Sequence, residues 1–281
     1  MDSLQSKLDR LRTIFAAMDS VMVAFSGGVD SSFVLKVAQE TAGSRVLALT
    51  TTSPTMPDED LVSAREIAGL IGARHLIIGS NELEIPGYAE NPLNRCYLCK
   101  HNLFTVCEEK AQELGIEQIV DGLNLDDLRD YRPGMQAASE KKVRHPLVES
   151  ELSKSEIREL SRMMGLPTWD RPASPCLSSR FPYGTQITLE RLEQVSGGEK
   201  LLKSLGFRIV RVRYHGEVAR LEVGRDEMAR LLDPQIGEVL SREFRKLGFR
   251  FVTLDLEGFR SGSLNDLVSL EQKRVFAINK P

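Results

Sequence analysis

The stretch Ala24-Phe25-Ser26-Gly27-Gly28-Val29-Asp30-Ser31-Ser32 constrains this chain more than any other. Residues 21–25 form a short apolar run that reads as a buried strand, and residues 33–40 continue with helical spacing. A strand that turns through two glycines into a helix brings successive backbone N–H groups and serine hydroxyls to the helix N-terminus. Unsatisfied donors and the helix dipole make such a point an anion site. The glycines let the backbone approach a phosphate closely. The lysine of a Walker A loop is absent, so the loop is of a different kind. A tight glycine turn with a serine cap is the plainer reading. The strand before it and the helix after it favour the anion site.

The same alternation continues. Helical spacing marks residues 3–17, 56–71 and 97–114, and strands are read at 45–51, 75–78 and 118–121. Strands alternating with helices predict an α/β fold with a parallel sheet, which binds ligands at the carboxyl ends of its strands. Besides the glycine loop, two segments fall there. They are Thr50-Thr51-Thr52 and Asp121-Gly122-Leu123-Asn124-Leu125-Asp126-Asp127. Gly122 is thereby a candidate nucleotide contact. Asp126 and Asp127 suit either metal or nucleotide contact or helix capping. Residues 130–150 read as loop and extended chain, and 152–164 as a helix. The Pro- and Ser-rich stretch 168–188 predicts a boundary, with a first domain over 1–186 and a small α+β domain over 187–281. In the latter, helices are read at 189–205 and 226–246, and strands at 207–214, 218–224 and 250–256. Residues 261–281 are polar and read as partly disordered.

Composition excludes several classes. Of 281 residues, 41% are hydrophobic and 27% charged, which is globular rather than disordered or fibrous. The net charge of −3 gives no electrostatic reason for a nucleic-acid or membrane partner. No apolar run approaches the ~20 residues of a membrane span, and residues 1–18 are too charged for a signal peptide. A cytoplasmic protein with reduced cysteines is expected.

Four cysteines are present: Cys96, Cys99, Cys107 and Cys176. Cys107 shares a helical face with Phe104 and Ala111, so it reads as core. Cys96 and Cys99 form a C-x-x-C at a helix start between Arg95 and Lys100, a setting that favours thiolates. One C-x-x-C cannot make a four-cysteine zinc site. Cys176 lies between prolines, near Arg171 and Arg180, where a reactive thiolate is the better reading. Arg211 and Arg213 alternate along a strand and share a face, which suits a phosphate, although on spacing alone a solvated strand face is the better reading.

Together these motifs, with Arg132-Pro133-Gly134, Trp169-Asp170-Arg171-Pro172 and Pro175-Cys176-Leu177-Ser178-Ser179-Arg180-Phe181-Pro182-Tyr183-Gly184, resemble the LarE family of PP-loop ATPases. The likeness runs over nearly the whole chain. It implies an ATP-dependent sulfur transferase that adenylates carboxylates of pyridinium biscarboxylic acid mononucleotide and makes thiocarboxylates for the nickel-pincer nucleotide of lactate racemase. It implies that Ser26, Gly27, Gly28, Val29, Asp30, Ser31 and Ser32 hold the pyrophosphate of ATP, with Asp30 linked to Mg²⁺. Cys176 becomes the sulfur-handling cysteine, Arg211 and Arg213 the substrate-phosphate ligands, and Glu199 and Arg180 further candidates. Some members donate the sulfur of this cysteine itself. The added Cys96 and Cys99 resemble members in which three cysteines hold a [4Fe–4S] cluster with one open iron. The family also implies a homohexamer. The alternatives are a tRNA thiolase, an amide-forming synthetase and a non-catalytic nucleotide binder.

Overall fold

Alternate residues of one strand explain the first layer structure. Val21 and Val23 of β1 (Val21–Ala24) point into one core and Met22 and Ala24 into another. A strand buried on both faces is the mark of a parallel sheet covered by helices. The computed structural model describes residues 3–129 and 132–260, so the expected polar tail 261–281 lies outside the described residues. By packing, these residues form two compact units. The first comprises residues up to Glu82 and Asn94–Ser174, the second Leu83–Leu93 and the residues from Pro175 onward. The Pro- and Ser-rich stretch is thus shared between the units, dividing at Ser174 and Pro175.

In the first unit, β1 is flanked by β2 (Val46–Thr52) and β4 (Gln118–Val120), and β3 (Arg74–Gly79) pairs with β2, all parallel. One face carries α1 (Leu4–Ala16), α2 (Val29–Ala42), α3 (Asp58–Ile71) and α7 (Lys154–Met163). The other carries α4 (Arg95–Leu114) and α5 (Gly134–Glu140). The expected α/β fold is what forms. Burying a side chain such as Phe33 completely is worth ~1.5–3 kcal/mol each time.

Several boundaries differ from the sequence reading. The α2 helix starts at Val29, because Gly28 is extended and serves as its N-cap. Asp30, Ser31 and Ser32 therefore sit in the first helical turn rather than in the loop. Likewise α4 begins at Arg95, so Cys96 and Cys99 occupy its first turns. Residues 130–150, read as loop and extended chain, hold two helices, α5 and α6 (Pro146–Glu149). The alanines of α5 bury against α4, and Pro146 opens α6 with a preset φ. A capping box between Ser153 and Glu156 starts α7.

The second unit has α8 (Leu189–Ser204), β5 (Val210–His215), β6 (Val218–Val223), α9 (Met228–Leu231), α10 (Pro234–Lys246) and β7 (Phe251–Leu254). Its sheet order is β5-β6-β7, antiparallel then parallel. The single helix expected over 226–246 is two, because Asp233 caps a new helix whose first residue is Pro234. A Cβ at Gly198 would meet the Phe244 ring at 2.8 Å, so this glycine sets how closely α8 and α10 approach. No described helix is long and apolar enough to cross a membrane.

Candidate functional site

The glycine loop closes on itself through serines. Ser26 Oγ lies 3.1 Å from Ser31 Oγ, and Ser26 N donates to Ser31 Oγ at 3.3 Å. Gly28 N donates to Ser26 Oγ at 3.4 Å. Gly27 adopts φ +72°, and a Cβ there would lie 2.8 Å from Ala64 Cα. No other residue fits. Gly122, after β4, abuts the mouth of α2, where a Cβ would stand 2.8 Å from Ser31 N. The structure thus brings Gly122 to the loop. Thr50 braces the base. Its hydroxyl donates to Phe25 O at 2.7 Å, so it accepts from His75 Nε2 at 2.8 Å. Burial first, then Arg65, lowers the His75 pKa, which suits this neutral role.

Asp30 has two different oxygens. Oδ2 meets Lys154 Nζ at 2.5 Å, whereas Oδ1 is buried with no hydrogen-bond partner, as is Ser32 Oγ. Orphaned buried oxygens at a helix N-terminus fit a divalent cation and its phosphate ligand. Lys154 was not singled out from the sequence. Its backbone N–H donates to Asp126 Oδ2 at 2.7 Å, which makes Asp126 a cap of α7. Asp127 accepts from Asn124 N at 3.2 Å and pairs with Arg132 at 2.6 Å. Burial raises its pKa, offset in part by Arg132. Of the two readings kept open for this acidic pair, capping and loop closure account for the contacts found. Asp121 receives Leu123 N at 3.0 Å and His145 Nδ1 at 2.7 Å. Burial alone would lower the His145 pKa, but Asp121 outweighs it and the net shift is upward.

The four cysteines are thiols. Cys107 is wholly buried, and burial pushes its pKa up to about 12, as a core residue requires. Cys96 is exposed and Cys99 half-buried, with its Sγ 4.0 Å from Glu82 Oε1. Among the described residues no group of three or more His, Cys, Asp or Glu is gathered as a metal site. Cys96 and Cys99 belong to the first unit and Cys176 to the second.

In the second unit, Cys176 is partly exposed and precedes a short 3₁₀ turn, Leu177–Arg180. Arg180 anchors it. Its Nη1 donates to Pro175 O at 2.6 Å and Cys176 O at 3.0 Å, while Nε and Nη2 grip both oxygens of Glu199 at 2.8 Å. Burial opposes the Glu199 charge, but Arg180 prevails and lowers its pKa. Tyr88 OH, 2.8 Å from Ser178 Oγ, and Asn91, bonded to Pro182 O at 2.7 Å, support the same loop. Neither was visible in sequence, since both come from a distant segment.

Arg211 and Arg213 are buried, not on a solvated strand face. Arg213 is bidentate to Glu222, at 2.8 and 2.7 Å, and donates to Ser179 O at 2.8 Å. Arg211 lies 5.0 Å from the Phe259 ring centroid, and burial followed by Arg180 lowers its pKa to about 10. Arg180 pairs with Glu199 and Arg213 with Glu222, to which Arg220 also donates at 3.1 Å. Three buried guanidinium groups close enough to feel one another's charge suit an anion.

The asparagine synthase family matches residues 13–90, which span the glycine loop. An uncharacterized Synechocystis protein is 46% identical over 95% of this chain and 99% of its own length. The pyridinium-3,5-bisthiocarboxylic acid mononucleotide synthase of Lactiplantibacillus plantarum is 37% identical over 99% of this chain and its full length. A tRNA-specific 2-thiouridylase of Desulforamulus reducens is 24% identical, over 57% of this chain and 54% of its own.

Proposed function

The chain belongs to the pyridinium-3,5-bisthiocarboxylic acid mononucleotide synthase family, and from that premise we propose that it is an ATP-dependent sulfur transferase acting on pyridinium biscarboxylic acid mononucleotide. Its product serves biosynthesis of the nickel-pincer nucleotide. The observation that carries the ATP half is the loop, whose Gly27 and Gly122 positions a Cβ would fill and whose serines and helix N-terminus supply donors.

A carboxylate oxygen of the substrate attacks the α-phosphorus of ATP. The bond to the bridging oxygen breaks, pyrophosphate leaves with the electron pair, and an acyl-adenylate forms. Ser26, Gly27, Gly28, Val29, Ser31 and Ser32 hold the departing pyrophosphate. Sulfur then attacks the acyl carbon, AMP departs, and a thiocarboxylate remains. Mg²⁺, when bound, would offset phosphate charge during cleavage, and Asp30 Oδ1 and Ser32 Oγ are the groups that fit it. Arg211, with Arg213 and Glu222 behind it, binds the phosphate of the substrate nucleotide.

Cys176 handles the sulfur, on a loop fixed by Arg180 and Glu199. For the source we propose a [4Fe–4S] cluster on Cys96, Cys99 and Cys176, which when bound would supply an exchangeable sulfide. Its support is the burial pattern, in which these three thiols are accessible and Cys107 alone is sealed in the core. Among the described residues no gathered metal group accompanies that pattern. In the alternative, Cys176 loses its own sulfur and ends as dehydroalanine. A tRNA thiolase is disfavoured by the net charge of −3 and the partial match. A homohexamer follows from the family resemblance alone.

Product analysis tests the reading. AMP and pyrophosphate support it, whereas ADP and phosphate overturn it.

A further inference from the structure

We propose that Arg171, seated by Asp60, is a positioning residue that sets the direction of the Gly27–Gly28 peptide in the pyrophosphate loop. The guanidinium joins the loop to α3. Nη1 donates to Gly27 O at 3.1 Å and to Ser63 Oγ, and Nη2 donates to Asp60 Oδ1 at 2.6 Å. Asp60 is itself buried, and its second oxygen accepts from Ser174 Oγ at 2.8 Å. The backbone around Arg171 is fixed as well. Arg158 of α7 donates to Trp169 O at 2.6 Å and to Arg171 O at 2.8 Å.

These contacts bear on one peptide group. Gly27 is wedged against Ala64, in a left-handed conformation that only glycine takes there. In a trans peptide the carbonyl and the following N–H point in opposite directions. Holding Gly27 O therefore fixes the direction of Gly28 N–H, whose long 3.4 Å bond to Ser26 Oγ an arriving pyrophosphate would replace. Without Arg171, that peptide could turn its carbonyl toward the anion, and an acceptor would replace a donor. Arg171 is not itself read as a phosphate ligand. Its charge is already matched by Asp60, with both side chains largely buried.

The inference rests on the ATP reading above, and the experiment separates the two. Binding of Mg²⁺ with α,β-methylene-ATP is measured for the unaltered protein, Arg171→Met and Asp60→Asn. The KM for the pyridinium nucleotide is measured alongside. Loss of a charged hydrogen bond to the loop predicts a nucleotide Kd raised by about tenfold or more in Arg171→Met. The KM for the pyridinium nucleotide stays within error, and added guanidinium restores part of the affinity. Asp60→Asn gives a smaller rise in the same direction. An unchanged Kd in either folded variant overturns the assignment, and so does an equal loss for both ligands. If Arg171→Met does not fold, Asp60→Asn alone decides by the same criterion. Failure of the unaltered protein to bind the nucleotide overturns the ATP reading itself.

Discussion

Lys154 Nζ lies 2.5 Å from Asp30 Oδ2, so the carboxylate proposed for Mg²⁺ already carries a cation on one oxygen and leaves the other buried and unbonded. The pair is partly exposed, and its contribution to stability is only ~0–1 kcal/mol. Under the proposed function its effect is therefore expected on the rate rather than on stability. Asp30→Asn removes the charge opposite the cation and should lower pyrophosphate release roughly 100-fold or more, while the fold stays intact. Lys154→Met should lower the rate with a melting temperature close to that of the unaltered protein. A loss of rate that simply follows loss of folded protein in both variants would refute this division.

Arg211 and Arg213 should behave differently despite sharing a strand face. Removing Arg213 takes the bidentate partner from buried Glu222 and leaves it Arg220 at 3.1 Å, a change that costs up to ~3–5 kcal/mol. Arg211 is repelled by Arg180 and Arg213, and its replacement relieves that repulsion. Thermal unfolding should show Arg213→Ala strongly destabilised and Arg211→Ala near or above the unaltered protein. Arg211→Ala should raise the KM for the pyridinium nucleotide more than it lowers kcat, because a remote phosphate contact changes little between ground and transition states. Matching stabilities for the two variants would contradict this assignment of roles.

His145 gives the first unit a pH dependence. Its pKa in the folded protein is raised, since Asp121 outweighs burial. The contribution is full below the unfolded value of 6.5 and is lost as pH rises through the folded value. Melting temperatures taken between about pH 5 and pH 8 should decline in that direction, and His145→Gln should flatten the part that this pair causes. An identical slope in the variant would remove His145 from the account.

The cysteines separate two sulfur sources by mass and by iron. A cluster source predicts iron and sulfide in protein purified without oxygen, loss of both in Cys96→Ala, and an unchanged chain mass after turnover. Sacrifice of Cys176 predicts a chain lighter by the elements of hydrogen sulfide. Full thiolation by an iron-free Cys96→Ala/Cys99→Ala variant would exclude the cluster.

The parallel sheet and the glycine loop were legible because their signals are local. Apolar strands alternate with helical spacing, and Ser26-Gly27-Gly28 can do little else at a strand end. Gly122 was legible by its place after β4. What escaped depends on contacts between distant segments. Lys154 reaches Asp30 across 124 positions, and Arg171 reaches Gly27 across 144. Tyr88 reaches Ser178 across 90. No periodicity records such pairs. The break before α10 was different, because Asp233-Pro234 is a local helix-start signal inside the span read as one helix. Burial of Arg211 and Arg213 could not be read from alternation, which fixes a shared face but not what covers it.

The most direct test follows both halves of the reaction in one mixture. The protein is incubated with ATP, Mg²⁺ and pyridinium biscarboxylic acid mononucleotide, and the nucleotide products are resolved by mass spectrometry. The account predicts one AMP and one pyrophosphate for every oxygen replaced by sulfur in the pyridinium product. ADP and phosphate as products, or AMP formation with no sulfur entering the pyridinium nucleotide from the cluster or Cys176, would contradict it.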